Sequence, residues 1–258
     1  MTKGLCIRDV MVKPITIAKS AKITEALDKM LAGNIDPLIA THNGSVAGTV
    51  SRKAIADKLG SKQNSGIAPT AIHVSSVVAE DFTSVYPDES INVLIPLLQH
   101  YKLVVVYDSD HKLIGQVGAG DLLKRLQPDG PPDGAMERAV TIESDERVVH
   151  LRRRMLDDNI TRFVVTENNS IVGIVTETDV AIAMRKFREA VTGRHQDHRI
   201  RNLLVKDIMS SPILSVDRSA KVAEIIDLML KKNISSLPVL DKGKLVGMVT
   251  RRSLVNAL

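Results

Sequence analysis

Val46-Ala-Gly-Thr-Val-Ser-Arg-Lys-Ala54 returns three times in altered form, as Leu113-Ile-Gly-Gln-Val-Gly-Ala-Gly-Asp121, Ile171-Val-Gly-Ile-Val-Thr-Glu-Thr-Asp179 and Leu245-Val-Gly-Met-Val-Thr-Arg-Arg-Ser253. Each copy reads as a short apolar strand with glycine at its third position, followed at once by a helix start. The glycines, Gly48, Gly115, Gly173 and Gly247, lie 67, 58 and 74 residues apart, the signature of an internal repeat. Features upstream recur too. Ser20-Ala-Lys-Ile23 and Ser219-Ala-Lys-Val222 both lead into helical patterns and offer a serine N-cap. Asp9-Val-Met11 and Asp207-Ile-Met209 open the first and last copies.

Within each copy the periodicity switches between helix and strand. Ile23, Leu27, Met30 and Leu31 fall on one helical face, as do Val222, Ile225, Ile226, Met229 and Leu230. Short apolar strands follow at Leu38-Ile39, Val104–Val106, Phe163–Val165 and Leu237–Val239, each leading to a polar turn such as His42-Asn43-Gly44 or Asp241-Lys242-Gly243. The order is β-α-β-β-α, an α/β (α+β) fold. A unit of this size buries too little apolar surface to stand alone. The units are therefore expected to pair and to share both sheet and helix faces.

Gln127-Pro-Asp-Gly-Pro-Pro-Asp-Gly134 is rich in breakers and reads as a linker. Gly60–Gly66 forms a second connection and residues 185–206 a third, with Thr192-Gly193 ending the helix before it. The resulting division is unit 1 over 1–60, unit 2 over 67–127, unit 3 over 135–190 and unit 4 over 200–258. Paired modules would span 1–127 and 135–258.

These residues resemble the CBS domain, named after cystathionine β-synthase. The marks are the Asp-hydrophobic-Met opening, Leu237-Pro-Val239 in unit 4, and the Gly-x-hydrophobic-Thr-x-x-Asp turn from strand to helix. Unit 2 departs from the pattern, opening with Val74-Ser-Ser-Val-Val78 and no methionine. Unit 3 begins Ala135-Met-Glu-Arg-Ala139, without the Asp-hydrophobic-Met run. The resemblance covers nearly the whole chain. It implies two tandem pairs, called Bateman modules, with clefts for adenosine-containing ligands, and a regulatory rather than catalytic role. No catalytic residues are expected. The modules would assemble within one chain or across a homodimer.

The chemistry of such a cleft is read most fully in unit 3. Thr176 stands at a helix start, where free backbone N–H groups favour an anion. Asp179, one turn on, suits the two hydroxyls of a ribose. The same Thr-x-x-Asp spacing also makes a capping box, which needs no ligand. Unit 4 keeps Thr250 but has Ser253 in place of the acid, unit 2 has Gly118 with Asp121, and unit 1 has Ser51 with Ala54. The resemblance also implies a basic residue just before the second strand, beside the phosphate. Thr161-Arg162 stands there in unit 3, against Ser236 in unit 4 and Pro37 in unit 1, and a guanidinium can grip phosphate with two bonds. Adenine walls would come from Val140-Thr-Ile142 and Pro212-Ile213-Leu214, whose alternative is ordinary core packing. The ligand expected is AMP, ADP or ATP, with S-adenosylmethionine as another adenosyl candidate.

Composition narrows the remaining classes. Of 258 residues only 2% are aromatic and none is Trp, which argues against a single-strand binder built on base stacking. One cysteine, Cys6, excludes an internal disulfide and a Cys-rich metal site. No apolar run reaches the roughly 18 residues of a membrane span, and Met1–Pro14 lacks a signal-peptide core, so a cytoplasmic protein is expected. The net charge of +5 first suggests nucleic acid. Residues 185–206, however, hold seven Lys+Arg against two acids, and the rest of the chain balances 28 against 28. General nucleic-acid binding is set aside in favour of a local strip facing a phosphate or a protein partner, or a plain solvated helix end. Arg152-Arg153-Arg154 reads as solvated surface, and His195-Gln-Asp-His198 lacks the ligands of a zinc site. The competing functions are nucleic-acid binding through 185–206 and a ligand-free dimerisation module.

Overall fold

The computed structural model describes residues 4–61, 67–190 and 202–258. His195–His198 and residues 191–201 of the basic strip lie outside them. Unit 1 runs β1 (Thr16–Ala18), α1 (Ile23–Gly33), β2 (Leu38–His42), β3 (Ser45–Val50) and α2 (Arg52–Gly60). Unit 2 has β4 (Thr83–Val85), α3 (Leu94–His100), β5 (Leu103–Tyr107), β6 (Leu113–Gly118) and α4 (Ala119–Leu123). Unit 3 contains β7 (Met136–Glu137), β8 (Thr141–Glu143), α5 (Val148–Asp157), β9 (Arg162–Glu167), β10 (Ser170–Thr176) and α6 (Glu177–Ala190). Unit 4 closes the chain with β11 (Val216–Asp217), α7 (Val222–Lys231), β12 (Ser236–Asp241), β13 (Lys244–Thr250) and α8 (Arg251–Asn256).

Every unit repeats one topology. Its first short strand, counted from β8 in unit 3, pairs in parallel with the second, across a helix, and the second pairs antiparallel with the third. The hairpins turn at residues with positive φ, Asn43-Gly44, Asn168-Asn169 and Lys242-Gly243, or at His111 in unit 2.

The repeated glycine has a packing cause. Ahead of each first strand the chain crosses to the neighbouring unit and lies against that unit's third strand. Val12 pairs with Gln116, Ala79 with Thr49, Glu137 with Met248, and Ser210 with Ile174. A Cβ on Gly48 would sit 2.1 Å from the Ala79 carbonyl oxygen, and one on Gly173 2.8 Å from that of Ser210. On Gly247 it would meet Met136 at 2.3 Å, and on Gly115 the Met11 sulfur at 3.0 Å. Units 1 and 2, and likewise units 3 and 4, are thus laced together reciprocally. Met136 takes this place in unit 3 without the full opening motif, and Val78 takes it in unit 2. The aspartate of that motif caps a 3₁₀ turn: the carboxylates of Asp9 and Asp207 accept the backbone N–H of Cys6 (2.8 Å) and Leu204 (2.9 Å).

The helices pack otherwise than expected. The crossing segments bridge the sheets within 1+2 and 3+4, with β7 of unit 3 added to the sheet of unit 4, but the helical cores run between modules. One core joins unit 1 to unit 3, through Leu27, Met30, Ile55 and Leu59 with Leu151, Phe163, Val180 and Met184. A second joins unit 2 to unit 4, through Leu94, Val104 and Leu122 with Ile225, Leu237, Val249 and Leu254. A single chain therefore brings both modules face to face.

Three local expectations change. Ser20 and Ser219 are not the helix caps. Lys22 and Lys221 hold those positions, their N–H groups accepted by Glu25 and Glu224. The Ser219 hydroxyl instead donates to Asp217 (2.6 Å). The linker is not free of structure, since Pro132–Ala135 forms a 3₁₀ turn and Asp133 pairs with Arg218 (2.5 Å). Of the three arginines only Arg153 is solvated. Arg152 donates to the Gly60 carbonyl of unit 1 (2.9 Å), and Arg154 lies 4.7 Å over the Phe163 ring. Within the described part of the basic strip, Arg185 pairs with Asp28, and Arg188 reaches the carbonyls of Ser61 (3.3 Å) and Ile67 (3.4 Å), so both serve the contact between modules.

Candidate ligand site

Strand β10 ends at Thr176 and α6 begins at Glu177, so the helix opens beside the crossing segment of unit 4. Asp179 Oδ2 accepts the Thr176 backbone N–H (2.7 Å) and hydroxyl (2.6 Å), and Oδ1 accepts the Ser210 hydroxyl (3.0 Å). The capping box is therefore formed, and its second oxygen faces unit 4. Thr176 Oγ1 accepts the N–H of Thr178 (3.2 Å), so the helix start is braced without a ligand.

Arg162 extends towards the junction with unit 4. Its guanidinium donates to the Thr161 hydroxyl and the Ser235 carbonyl, each at 3.3 Å. Burial holds it below its ordinary pKa, opposed by the charges of Glu177 and Glu137. Both of its partners are neutral oxygens at long range. A half-buried cation held this loosely is a ready partner for an anion.

Glu177, the first helical residue, ties this corner to the other module. Its Oε1 accepts from Lys102 of unit 2 (2.8 Å), whose ammonium also reaches Asp36 of unit 1 (3.0 Å). Asp36 in turn accepts the N–H of Arg52 (2.8 Å). The second oxygen of Glu177 is buried and meets no donor. Burial pushes its carboxyl above the usual carboxylate range, with Lys102 opposing and Asp36 adding to the push. Burial disfavours the charge on Lys102 as well, but the two carboxylates outweigh it and raise its pKa. Strand pairing puts Lys102 level with Thr161 and Ser235, one residue before the Arg162 position, which Leu103 takes in unit 2.

The other sequence-derived positions differ. Thr250 and Ser253 are buried and satisfy each other, with Thr250 N–H to Ser253 Oγ and Ser253 N–H to Thr250 Oγ1 both at 2.9 Å. Asp121 accepts the Gly118 N–H (3.1 Å) and pairs with Lys124 (3.0 Å). Ile142 is 4% exposed within the core of units 1 and 3, because alternate residues of β8 face inward. Val140 is half-buried against the same core. Pro212 is exposed, while Ile213 turns into a groove at the hairpin end of units 3 and 4, away from Asp179. Ser210, Ser235 and Glu177 went unmarked in the sequence, since only the crossing of the chain brings them to the site. Among the described residues no cluster of His, Cys, Asp and Glu could hold a metal, and no helix is long and apolar enough to cross a membrane.

The CBS domain family model matches four segments, residues 7–61, 74–128, 135–186 and 205–258. The chain belongs to the CBS-domain family. Protein MJ1225 of Methanocaldococcus jannaschii is 22% identical over 266 residues, covering 94% of each chain. Its crystal structure, described as that of a proposed archaeal homologue of γ-AMPK, superposes with a TM-score of 0.81 at 20% identity, covering 97% of this chain and 99% of that one. A conserved protein from Pyrococcus horikoshii superposes at 0.64, with 21% identity and coverage of 97% and 98%. Protein MK0525 of Methanopyrus kandleri is 31% identical over 123 residues, a match covering 47% of this chain and 58% of that protein's length. The four-unit arrangement is thus one that solved structures share.

Proposed function

We propose that this CBS-domain protein is a regulatory sensor that binds an adenosine-containing ligand, AMP, ADP or ATP, at the junction of units 3 and 4. The observation that carries the reading is the placement of Asp179 and Arg162. One oxygen of Asp179 faces the crossing segment of unit 4, and Arg162 reaches Ser235 of the same unit. A ribose hydroxyl would replace Ser210 as donor to Asp179, and a phosphate would replace the long contacts of Arg162. The description of MJ1225 as a γ-AMPK homologue supports a nucleotide. S-adenosylmethionine carries no phosphate and would offer Arg162 only the carboxylate of its methionine end.

A signal would follow from the same geometry. Arg162 is coupled to Glu177, and Glu177 meets Lys102 and Asp36 of the other module. An anion at Arg162 changes the charge balance there and so favours one relation of the modules over another, by no more than the difference in its affinity for the two. The receiver would be a protein partner. No reaction is assigned to the chain.

Thermal midpoints with AMP, ADP, ATP, S-adenosylmethionine and NADH test the reading. A bound ligand at a hundred times its Kd adds about 2.7 kcal/mol. A phosphorylated adenosine should raise the midpoint and S-adenosylmethionine should not. Absence of any shift across the panel would remove the sensor role.

A further inference from the structure

Outside the Asp179 site, units 3 and 4 leave a half-open groove of about 650 Å³ between their β-hairpins. That volume lies in the roughly 300–1,000 Å³ range of small-molecule sites. Units 1 and 2 have the same place filled. There Phe82, Tyr107 and Leu113 of unit 2 pack with Ile39 and Val46 of unit 1 into an apolar plug between the sheets. Strand register identifies the counterparts. Tyr107 opposes Leu113 in unit 2, as Leu240 opposes Leu245 in unit 4. Phe82 lies three residues before Val85, paired with Val106, and Ile213 lies three before Val216, paired with Val239. Two aromatic rings in one module are therefore Ile213 and Leu240 in the other, and the space they would occupy is open.

The open groove has a chemistry of its own. Ile171, Ile213, Leu240, Leu245 and Val246 line it with apolar surface, and Val246 is 38% exposed. Arg138 comes to it from the crossing segment of unit 3 and Lys244 from the hairpin of unit 4. No carboxylate is among the described lining residues. Neither cation has an ion pair or hydrogen bond within the described residues. Two acids of these units have partners of their own: Glu143 accepts from Thr166 (2.8 Å), and Asp241 lies 3.7 Å from Arg218.

We propose that this groove is a second ligand site, separate from the Asp179 junction, for a small organic anion with an apolar body. The apolar lining would take the body, and Arg138 and Lys244 the negative group. The module with the aromatic plug would have no such site.

The probe is 8-anilinonaphthalene-1-sulfonate, a sulfonate on an aromatic body that fluoresces when bound. Native full-length protein should bind one equivalent saturably. Leu240→Tyr combined with Ile213→Phe, which copies the plugged module, should abolish that binding while leaving the thermal midpoint equal or higher. Arg138→Gln and Lys244→Gln should each weaken it about tenfold, the scale of one lost charge-assisted contact. Saturating AMP and Asp179→Ala should leave the signal unchanged, which keeps this outcome distinct from that of the nucleotide panel. Absence of saturable binding, or binding that survives both the plug and the charge variants, would overturn the proposal.

Discussion

Replacing the four repeat glycines by alanine, one at a time, should destabilise the protein in a fixed order. Gly48→Ala is the most severe. Its φ of +136° lies where side chains are strained, and the new Cβ would stand 2.1 Å from a backbone oxygen, that of Ala79, in the chain crossing from unit 2. Backbone strain of about 1–3 kcal/mol and overpacking of about 1–3 kcal/mol combine to about 4 kcal/mol. Gly173→Ala meets the Ser210 carbonyl oxygen at 2.8 Å with no positive φ, so only the overpacking remains, about 2 kcal/mol. Gly247→Ala comes closer, 2.3 Å, but chiefly to the Met136 side chain, which can move. Gly115→Ala approaches only the flexible Met11 side chain, at 3.0 Å, and should cost under about 1 kcal/mol. In a chain of this size 1 kcal/mol moves the thermal midpoint by about 2–4 °C. Calorimetric scanning should then show Gly48→Ala some 8–16 °C below wild type and Gly115→Ala within about 4 °C of it. Equal losses at all four sites, or the largest at Gly115, would refute the account of the repeat as a device for admitting the crossing chain.

Other outcomes follow from the junction. Glu177 titrates above its ordinary value in the folded protein, so the fold binds a proton that the unfolded chain releases; stability is then full below about pH 4.5 and falls as pH rises through the raised value. Thermal midpoints across that window should lose this decrement in Glu177→Gln, and an unchanged profile would show that the buried carboxyl is not the cause. Arg152→Ala breaks the bond to Gly60 between units 1 and 3 and should cost about 1–2 kcal/mol, whereas the solvated Arg153→Ala should cost under about 0.5 kcal/mol in the same urea titration. Equal effects would contradict the placement of the three arginines. Arg162→Ala should weaken AMP at least tenfold, about 1.4 kcal/mol, and leave any adenosine binding almost unchanged, which competition titration distinguishes.

Much of this arrangement is legible before any coordinates. The glycine spacing marks the units because the crossing chain leaves no room for a Cβ, and Thr176 with Asp179 stands out because a helix start needs such a pair in any case. What escapes the sequence is what depends on contacts far along the chain. The helix stripes of Leu27 and Leu151 announce burial, but not that unit 1 would share its core with unit 3 rather than unit 2. Arg152 reads as one charge in a run until Gly60 is found beside it. Ile142 and Ile213 lie on similar extended segments, yet one is core and the other lines a groove, because strand alternation decides the face. Phe82 and Tyr107, two of the few aromatic residues, draw no notice as sequence, although they close in one module the space left open in the other.

Isothermal calorimetry of AMP against the wild-type chain and Asp179→Ala tests the central claim most directly. Saturable binding by the wild type, lost or weakened at least tenfold in the variant, about 1.4 kcal/mol, is the predicted result. AMP affinity unaltered by Asp179→Ala, or no binding heat with the wild type, would contradict it.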